Sequence, residues 1–599
     1  MAMCKAYSAG KRIAFLGAVA LAVAVVAAQG FAQESYATLK QANDAYRAGQ
    51  AALAHRDLAS AQKDFALVVR LAPQAEQGHS ALGAVMVSRG QLREGIGELQ
   101  RALSMKPDDY TAQLNLALAY VQAGSPQKAL PLFSKIEAHA RAQGQQLPSY
   151  VLVQYARSLL QAHEPVRAAA EMKSAVALDP SNAELHDELG SLDAQRSEWA
   201  NAQREFSTAV RLNPRFAVAY MHLGLAMRAQ REAGGIQEIA HASQLEPDNP
   251  MIALELGQAY VAEGNDARAI PVFRHVLALA PHSMDAAYQL ALALQRTNDA
   301  KDAIPLLGEV IAAQPKNVAA MTNLGMALCQ AQNAKDAVPV LQRAVSLAPG
   351  NVTARENLAA AYVQLSQFDG AISDLRDAIR LAPNDPQLHY DLGLAYKWQD
   401  KADEAIPELE TAEHLNPNAP EAPYLLGLLY LQEGHYSDAA REMSLALKLR
   451  PNDSDGWATL GSVYENLNEL PRAESALKEA IRQAPNQADA YLTLASVLVK
   501  QNKLQEARDD REKAANLMRA HLNFQRAEVS THAGEAMLKA GEVANAVLEF
   551  KDALSFEPNY APAHMGLAQA LDRQGKTMEA AAEREKAKSA GTVAASSAR

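Results

Sequence analysis

Prolines at 315, 349, 383, 417, 451 and 485 stand 34 residues apart, and this spacing constrains the chain more than any other feature. Proline has no N–H and breaks a helix, so an even step cuts the polypeptide into equal units. Pro281 keeps the same phase; Pro73 with Pro107, and Pro180 with Pro214, keep it in their own blocks, and Pro558 restores it after an interruption. Two other markers travel with the prolines. Leu-Gly or Leu-Ala recurs at Leu256-Gly257, Leu290-Ala291, Leu324-Gly325, Leu358-Ala359 and Leu392-Gly393, and an alanine follows at Ala269, Ala303, Ala337, Ala371 and Ala405. A chain of 599 residues is already too long for one core to keep growing. The period goes further, because small units of this size are stable only when each stacks on the next.

The unit Ser454 to Pro485 shows what one step contains. Trp457, Leu460-Gly461 and Tyr464 are followed by Ala473, Leu477, Ala480 and Pro485, a three-and-four spacing that puts one apolar stripe on each of two helices. Asn468-Glu469 punctuates the stripes. Gly461 and Ala473 fall where two helices must approach closely. The order W-x2-L-G-x2-Y, then A, then P, resembles the tetratricopeptide repeat (TPR) family. The resemblance implies an all-α fold, an α-α superhelical solenoid of about sixteen helix-turn-helix repeats beginning near Ala42.

Composition agrees with helices: hydrophobic residues are 49% and aromatics only 6%, so the apolar content is mostly alanine and leucine. At the N-terminus, Lys5, Lys11 and Arg12 precede an apolar run from Ile13 to Ala28, then Gly30-Phe31-Ala32. This reads as a secretory signal over residues 1–32, cleaved after Ala32, with an uncleaved anchor as the alternative. Cys4 lies ahead of the apolar run, which argues against a lipoprotein signal. Residues 33–148 then hold repeats one to three, the third about five residues long. Residues 149–526 hold repeats four to fourteen, 527–588 hold fifteen and sixteen, and 589–599 form a tail expected to be disordered.

Irregular units stand out against the period. The sixth repeat is one residue short, and its second helix is expected to carry Gly234-Gly235 at a cost in stability. The fourteenth lacks a closing proline, places Arg511 at a core position, and reads as nearly continuous helix from Leu504 to Gln525. In the last repeat Arg584 replaces a large apolar residue, as suits a terminal unit whose outer face meets water.

Catalytic patterns are wanting. The sequence has no H-E-x-x-H, no C-x-x-C and no G-x-S-x-G. Gly575-Lys576-Thr577 imitates the end of a phosphate loop, but the earlier glycine it requires is Ala570. Two cysteines, Cys4 and Cys329, exclude a disulfide framework within the chain. Asn351-Val-Thr353 and Asn452-Asp-Ser454 are sequons of the kind a long chain contains by chance. A formal charge of −11 without a dense Lys/Arg tract disfavours nucleic acid. No enzyme, cofactor or metal is expected, and the membrane is expected to be met only through the N-terminal segment if it stays uncleaved.

The resemblance also implies where a partner would lie. In the family, positions 2, 5, 6, 9, 12 and 13 of the first helix line a concave groove. Carried over, position 6 gives Gln289, Asn323, Asn357 and Asp391, position 5 gives Tyr288, Tyr390 and Tyr424, and position 13 gives Trp398. In-register amides suit the backbone of an extended peptide, and the aromatics supply flat contact area. No repeat has lysine at position 5, so a clamp for carboxylate tails is not expected. The acidic balance calls for a partner that is neutral or basic. Cys329, at position 12, is expected at the groove as a small semi-buried side chain. The expected role is an exported, non-catalytic scaffold for proteins or peptides, in the periplasm or envelope of a bacterium; the alternative is an assembly subunit of an envelope complex for secretion, pili or polysaccharide export.

Overall fold

The computed structural model describes residues 36–597, with side chains from 37 to 590, so the expected signal segment and Cys4 lie outside the described residues. Among the described residues there are thirty-one helices and no strand. They alternate a first helix of mostly 13 residues with a second of mostly 14, and these are called A and B below. The A helix Ser454–Asn466 and the B helix Leu470–Gln483 form one such hairpin.

The local rules follow from the markers. Inside each hairpin the turn needs one residue in the left-handed region. Glycine takes it at Gly264, Gly434 and Gly575, and asparagine at Asn298, Asn468 and Asn502. At most junctions proline follows the end of the B helix, and at many an Asn or Asp a few residues on caps the next A helix. Asn351 accepts from the Ala354 N–H at 3.0 Å, and Asp453 from that of Gly456 at 2.9 Å. The Leu-Gly marker is a steric necessity. A Cβ on Gly461 would stand 2.5 Å from Leu477 Cγ, and one on Gly257 2.4 Å from Phe273 Cε1. Those large residues, one per B helix, are fully buried knobs seated on the glycine of their own hairpin.

The chain divides into two compact units, one up to Ala293 and the other from Leu294 on. In the first unit the A and B helices pack in chain order from Tyr36–Ala54 onward. The third repeat has the long B helix Pro126–Ala142, and Leu147 in the loop behind it is buried. The sixth repeat corrects the sequence reading. Its B helix is Gly235–Leu245, so Gly234 lies ahead of it at φ +95° and Gly235 opens it. The pair does not weaken a helix interior; it lets backbones meet, since a Cβ on Gly224 would stand 2.3 Å from the Gly235 carbonyl oxygen.

The second unit packs in the same order to the A helix Ala488–Lys500. Then one helix of 36 residues, Leu504–Lys539, serves as the B helix of the fourteenth repeat and the A helix of the fifteenth. It runs through position 526, where the sequence reading set a boundary. Its first part packs on Ala488–Lys500 and its last part on Val543–Phe556. Arg511, expected in a core, is exposed, because no A helix follows to cover that face. The last helix, Thr577–Ser597, continues past residue 588, where the sequence reading ended the ordered repeats; Ala594-Ala595 favours helix and no proline stops it.

Candidate interaction surface

The A helices of the second unit carry most of the residues singled out from the sequence. Asn323, Asn357, Tyr390, Asp391 and Tyr424 are half-buried, and Trp398 is 53% exposed at the C-terminal end of its helix. Tyr288 and Gln289, also half-buried, belong to the first unit. Part of the amide set is engaged within the array. Asn357 Nδ2 donates to the Thr322 carbonyl at 3.4 Å, and Gln364 Nε2 donates to that of Cys329 at 3.1 Å, each bridging to the preceding A helix. Asp391 accepts from Gln387 Nε2 at 2.8 Å. Cys329 is only 7% exposed, packed with Leu328, Leu341 and Leu358, and burial pushes its thiol up to about 11.

Charge is what the aligned A helices share. Burial, with Glu356 and Asp385 nearby, pushes the Asp391 carboxyl up to about 6 against the donated bond from Gln387. Glu356 is likewise raised, by burial and then by Asp385. The Tyr390 phenol is raised by burial, then Asp391 and Glu421, and that of Tyr424 by burial, then Asp453 and Asp455. Arg450 is the cation that opposes these effects at both tyrosines, and it is paired with Glu421. Glu356, Asp385 and Asp391 are therefore close enough to feel one another, while Glu421, Asp453 and Asp455 at the next two A helices lie near the tyrosines. Sequence reading found Asp391 and the tyrosines but missed Glu356, Glu421 and Asp455. Comparing positions 2 and 5 for charge, and not only for amides, exposes them.

A second device recurs at position 4. His79, His186, His389 and His564 each donate from Nε2 to the carbonyl of the proline six residues earlier, at 2.9–3.1 Å. Each also sets Nδ1 2.5–2.6 Å from a glutamate nineteen residues on: Glu98, Glu205, Glu408 or Glu583. Trp457, Gln113 and Arg355 make the same bond to Pro451, Pro107 and Pro349. Different side chains thus satisfy one carbonyl left open where the B helix ends. A donor six residues after seven of the prolines is the signal, and the sequence reading does not include it.

No cluster of three or more His, Cys, Asp or Glu among the described residues could hold a metal ion. A cavity of about 330 Å³ lies between Lys478, Tyr491, Leu494 and Asp510, beside the start of the long helix.

No characterised protein matches the chain. Among solved structures, that titled APC/C hetero-tetramer Cut9-Hcn1 is 16% identical, with 90% of this chain and 97% of that one covered, at a TM-score of 0.30. YrrB, titled a TPR protein with an unusual peptide-binding site, is 20% identical over 31% of this chain and 96% of its own, at 0.28. MamA from Desulfovibrio magneticus RS-1 is 20% identical over 28% and 96%, at 0.27. Scores this low carry no argument about geometry. The family comparison does carry one. Tetratricopeptide repeat profiles match residues 81–145, 288–352 and 459–518, residues 253–284, and residues 399–463, and a TPR repeat profile matches 360–400. Together they cover more than half of the chain. The chain belongs to the tetratricopeptide repeat family.

Proposed function

We propose that this protein is an exported, non-catalytic scaffold that binds an extended, basic segment of a protein along the A helices between Asn323 and Asp455. The observation that carries the reading is the run of acids along these A helices, with Glu356, Asp385 and Asp391 acting on one another and Glu421, Asp453 and Asp455 beside Tyr390 and Tyr424, and with Arg450 as the cation that opposes them there. Burial and neighbouring acids raise the Glu356 and Asp391 carboxyls, and an incoming lysine or arginine favours their charged forms. Trp398, exposed at position 13, adds a flat face for a cation or an aromatic. Titration calorimetry with extended peptides of equal length tests this. A Lys/Arg-rich peptide binds, a Glu-rich one does not, and added salt weakens the complex. Glu356→Gln with Asp391→Asn and Glu421→Gln lowers affinity by about tenfold, or ~1.4 kcal/mol. Equal binding of both peptides refutes the charge reading. Asn323→Ala with Asn357→Ala separates the amides from the acids, and unchanged affinity removes the amides from the site.

Export rests on the basic-then-apolar N-terminal pattern ending at Ala32. N-terminal sequencing of protein recovered from a periplasmic fraction checks it, and a start at Met1 in the cytosol refutes it. The second reading, an envelope assembly subunit, draws on the same signal and on the repeats filling the exported part of the chain. Pull-down from native membranes separates the two: one stoichiometric envelope complex favours the subunit, and diverse soluble clients favour the general binder.

A further inference from the structure

The glutamates that pair with His79, His186, His389 and His564 all stand at position 23 of their repeats, on the B helix. Asp374 stands there too, 3.0 Å from Arg355 at position 4. The twelfth repeat keeps the acid, Glu442, but has Pro423 at position 4, and a proline side chain donates nothing. Glu442 is nonetheless only 5% exposed. Its Oε1 accepts from Arg441 Nε at 2.7 Å, and no group among the described residues donates to its buried Oε2. A carboxylate oxygen taken from water without a donor is costly, so something must meet it.

What faces it is another acid. Glu413, at position 28 of the preceding repeat, lies on the B helix Ala402–Leu415. Burial, then the Glu442 charge and a hydrogen bond to Glu442, raise its carboxyl, with Arg441 opposing and Glu410 adding a little. Elsewhere positions 28 and 23 of successive repeats meet as apolar side chains: Leu447 and Ala476 share one cluster. Ile379 and Ile481 hold position 28 in the tenth and thirteenth repeats. Glutamate recurs at position 28 only as Glu137, in the third repeat. It too acts on a position-23 glutamate, Glu171, which burial and then Glu137 raise, and whose repeat has Leu152 at position 4. Both glutamates at position 28 thus adjoin an acid that lacks the position-4 partner.

We propose that Glu413 keeps its proton and donates it to Glu442 Oε2, so that a carboxylic acid–carboxylate hydrogen bond joins the B helices of repeats eleven and twelve and opens as pH rises. No three acids among the described residues could hold a metal ion, and a single proton is enough to give the pair its donor. The other charged groups around it are engaged. Arg441 is shared between Glu442 Oε1 and Asp438, the latter at 2.8 Å. On the A helix Glu421–Gln432, the Tyr430 hydroxyl donates to Glu410 at 2.9 Å, His435 in the following turn lies against the Tyr430 ring, and Glu421 is paired with Arg450. On Pro386–Trp398, His389 is taken by Glu408, and on Ser454–Asn466, Tyr464 meets Ser444. A carboxyl raised in the folded chain binds its proton more tightly there than in the unfolded one. The joint is therefore firm below the raised value and weakens as pH rises through it. It lies on the B helices, and the A-helix face described above plays no part in it.

Hydrogen exchange of the full chain, followed by mass spectrometry from mildly acid to mildly alkaline pH and corrected for intrinsic rates, tests the proposal. We expect protection over Ala402–Leu415 and Tyr436–Leu449 to fall ~tenfold across that range, or ~1.4 kcal/mol. Glu413→Gln supplies an amide donor at every pH, so it keeps the protection and removes the fall. Glu410→Gln, one turn away on the same helix, keeps the fall. Asp391 also titrates in this unit, so the comparison between variants isolates the pair. No fall in the wild type, a fall of equal size in Glu413→Gln, or its loss in Glu410→Gln overturns the proposal.

Discussion

At the scale of residues, the position-4 donor and the buried acid make separable predictions. His389 bonds to the Pro383 carbonyl and to Glu408, while Gln113 meets the equivalent carbonyl with an amide alone. His389→Ala should cost about 1 kcal/mol by removing the bonds of this buried ring to the carbonyl of exposed Pro383 and to Glu408, and His389→Gln should recover much of it. Urea midpoints of the two variants check this; equal losses would mean that packing, not the hydrogen bond, is at stake. Asp391 has a folded-state value of about 6, above its unfolded value. The folded chain therefore binds the proton more tightly between roughly pH 4 and pH 6, and stability from this group falls as pH rises through that window. Asp391→Asn should accordingly stabilise the second unit at pH 7.5 by about 1 kcal/mol, discounted for partial exposure, and change it little at pH 4. The Cys329 thiol, raised by burial, should resist thiol reagents in the native chain and react in urea. None of these contacts is visible in a list of residues. What could be read was the donor type and its distance from proline.

At the scale of elements, the knob on the glycine decides whether a hairpin closes. Leu477→Ala should cost about 2–5 kcal/mol through the cavity left over Gly461, and Gly461→Val should cost about 1–3 kcal/mol by overpacking. Thermal melts followed by circular dichroism compare them, and near-wild-type melting of Gly461→Val would show that the helices can part without cost. The long helix gives the complementary case. Residue 519, where the period would place a proline, is arginine, and the helix runs through it. Arg519→Pro should break it, at about 3 kcal/mol for an interior proline. Hydrogen exchange should then rise near residues 515–523 while the helix Ala488–Lys500 stays protected. The absent proline made the continuity from Leu504 to Gln525 legible. Its extension to Lys539 was not, because turn and helix differ there only in whether a neighbour stacks.

At the scale of the whole molecule, the main helix contacts described within each compact unit join hairpins adjacent along the chain, so unfolding should not be all-or-none. The three tryptophans, Trp199, Trp398 and Trp457, lie in separate repeats. Single-tryptophan variants should give urea transitions that do not coincide, and superimposable curves would contradict the nearest-neighbour picture. The sequence by itself determined the repeat, its phase, its caps and its knobs, because each is set by contacts within about one period. Only the tertiary structure decided which repeat faces a neighbour and which faces water. It buried Cys329, moved the glycine pair out of its helix interior, exposed Arg511 and Val529, and set Glu356, Asp385 and Asp391 within reach of one another. Those outcomes depend on which helices stack on which, and local pattern holds no record of what a neighbouring helix covers.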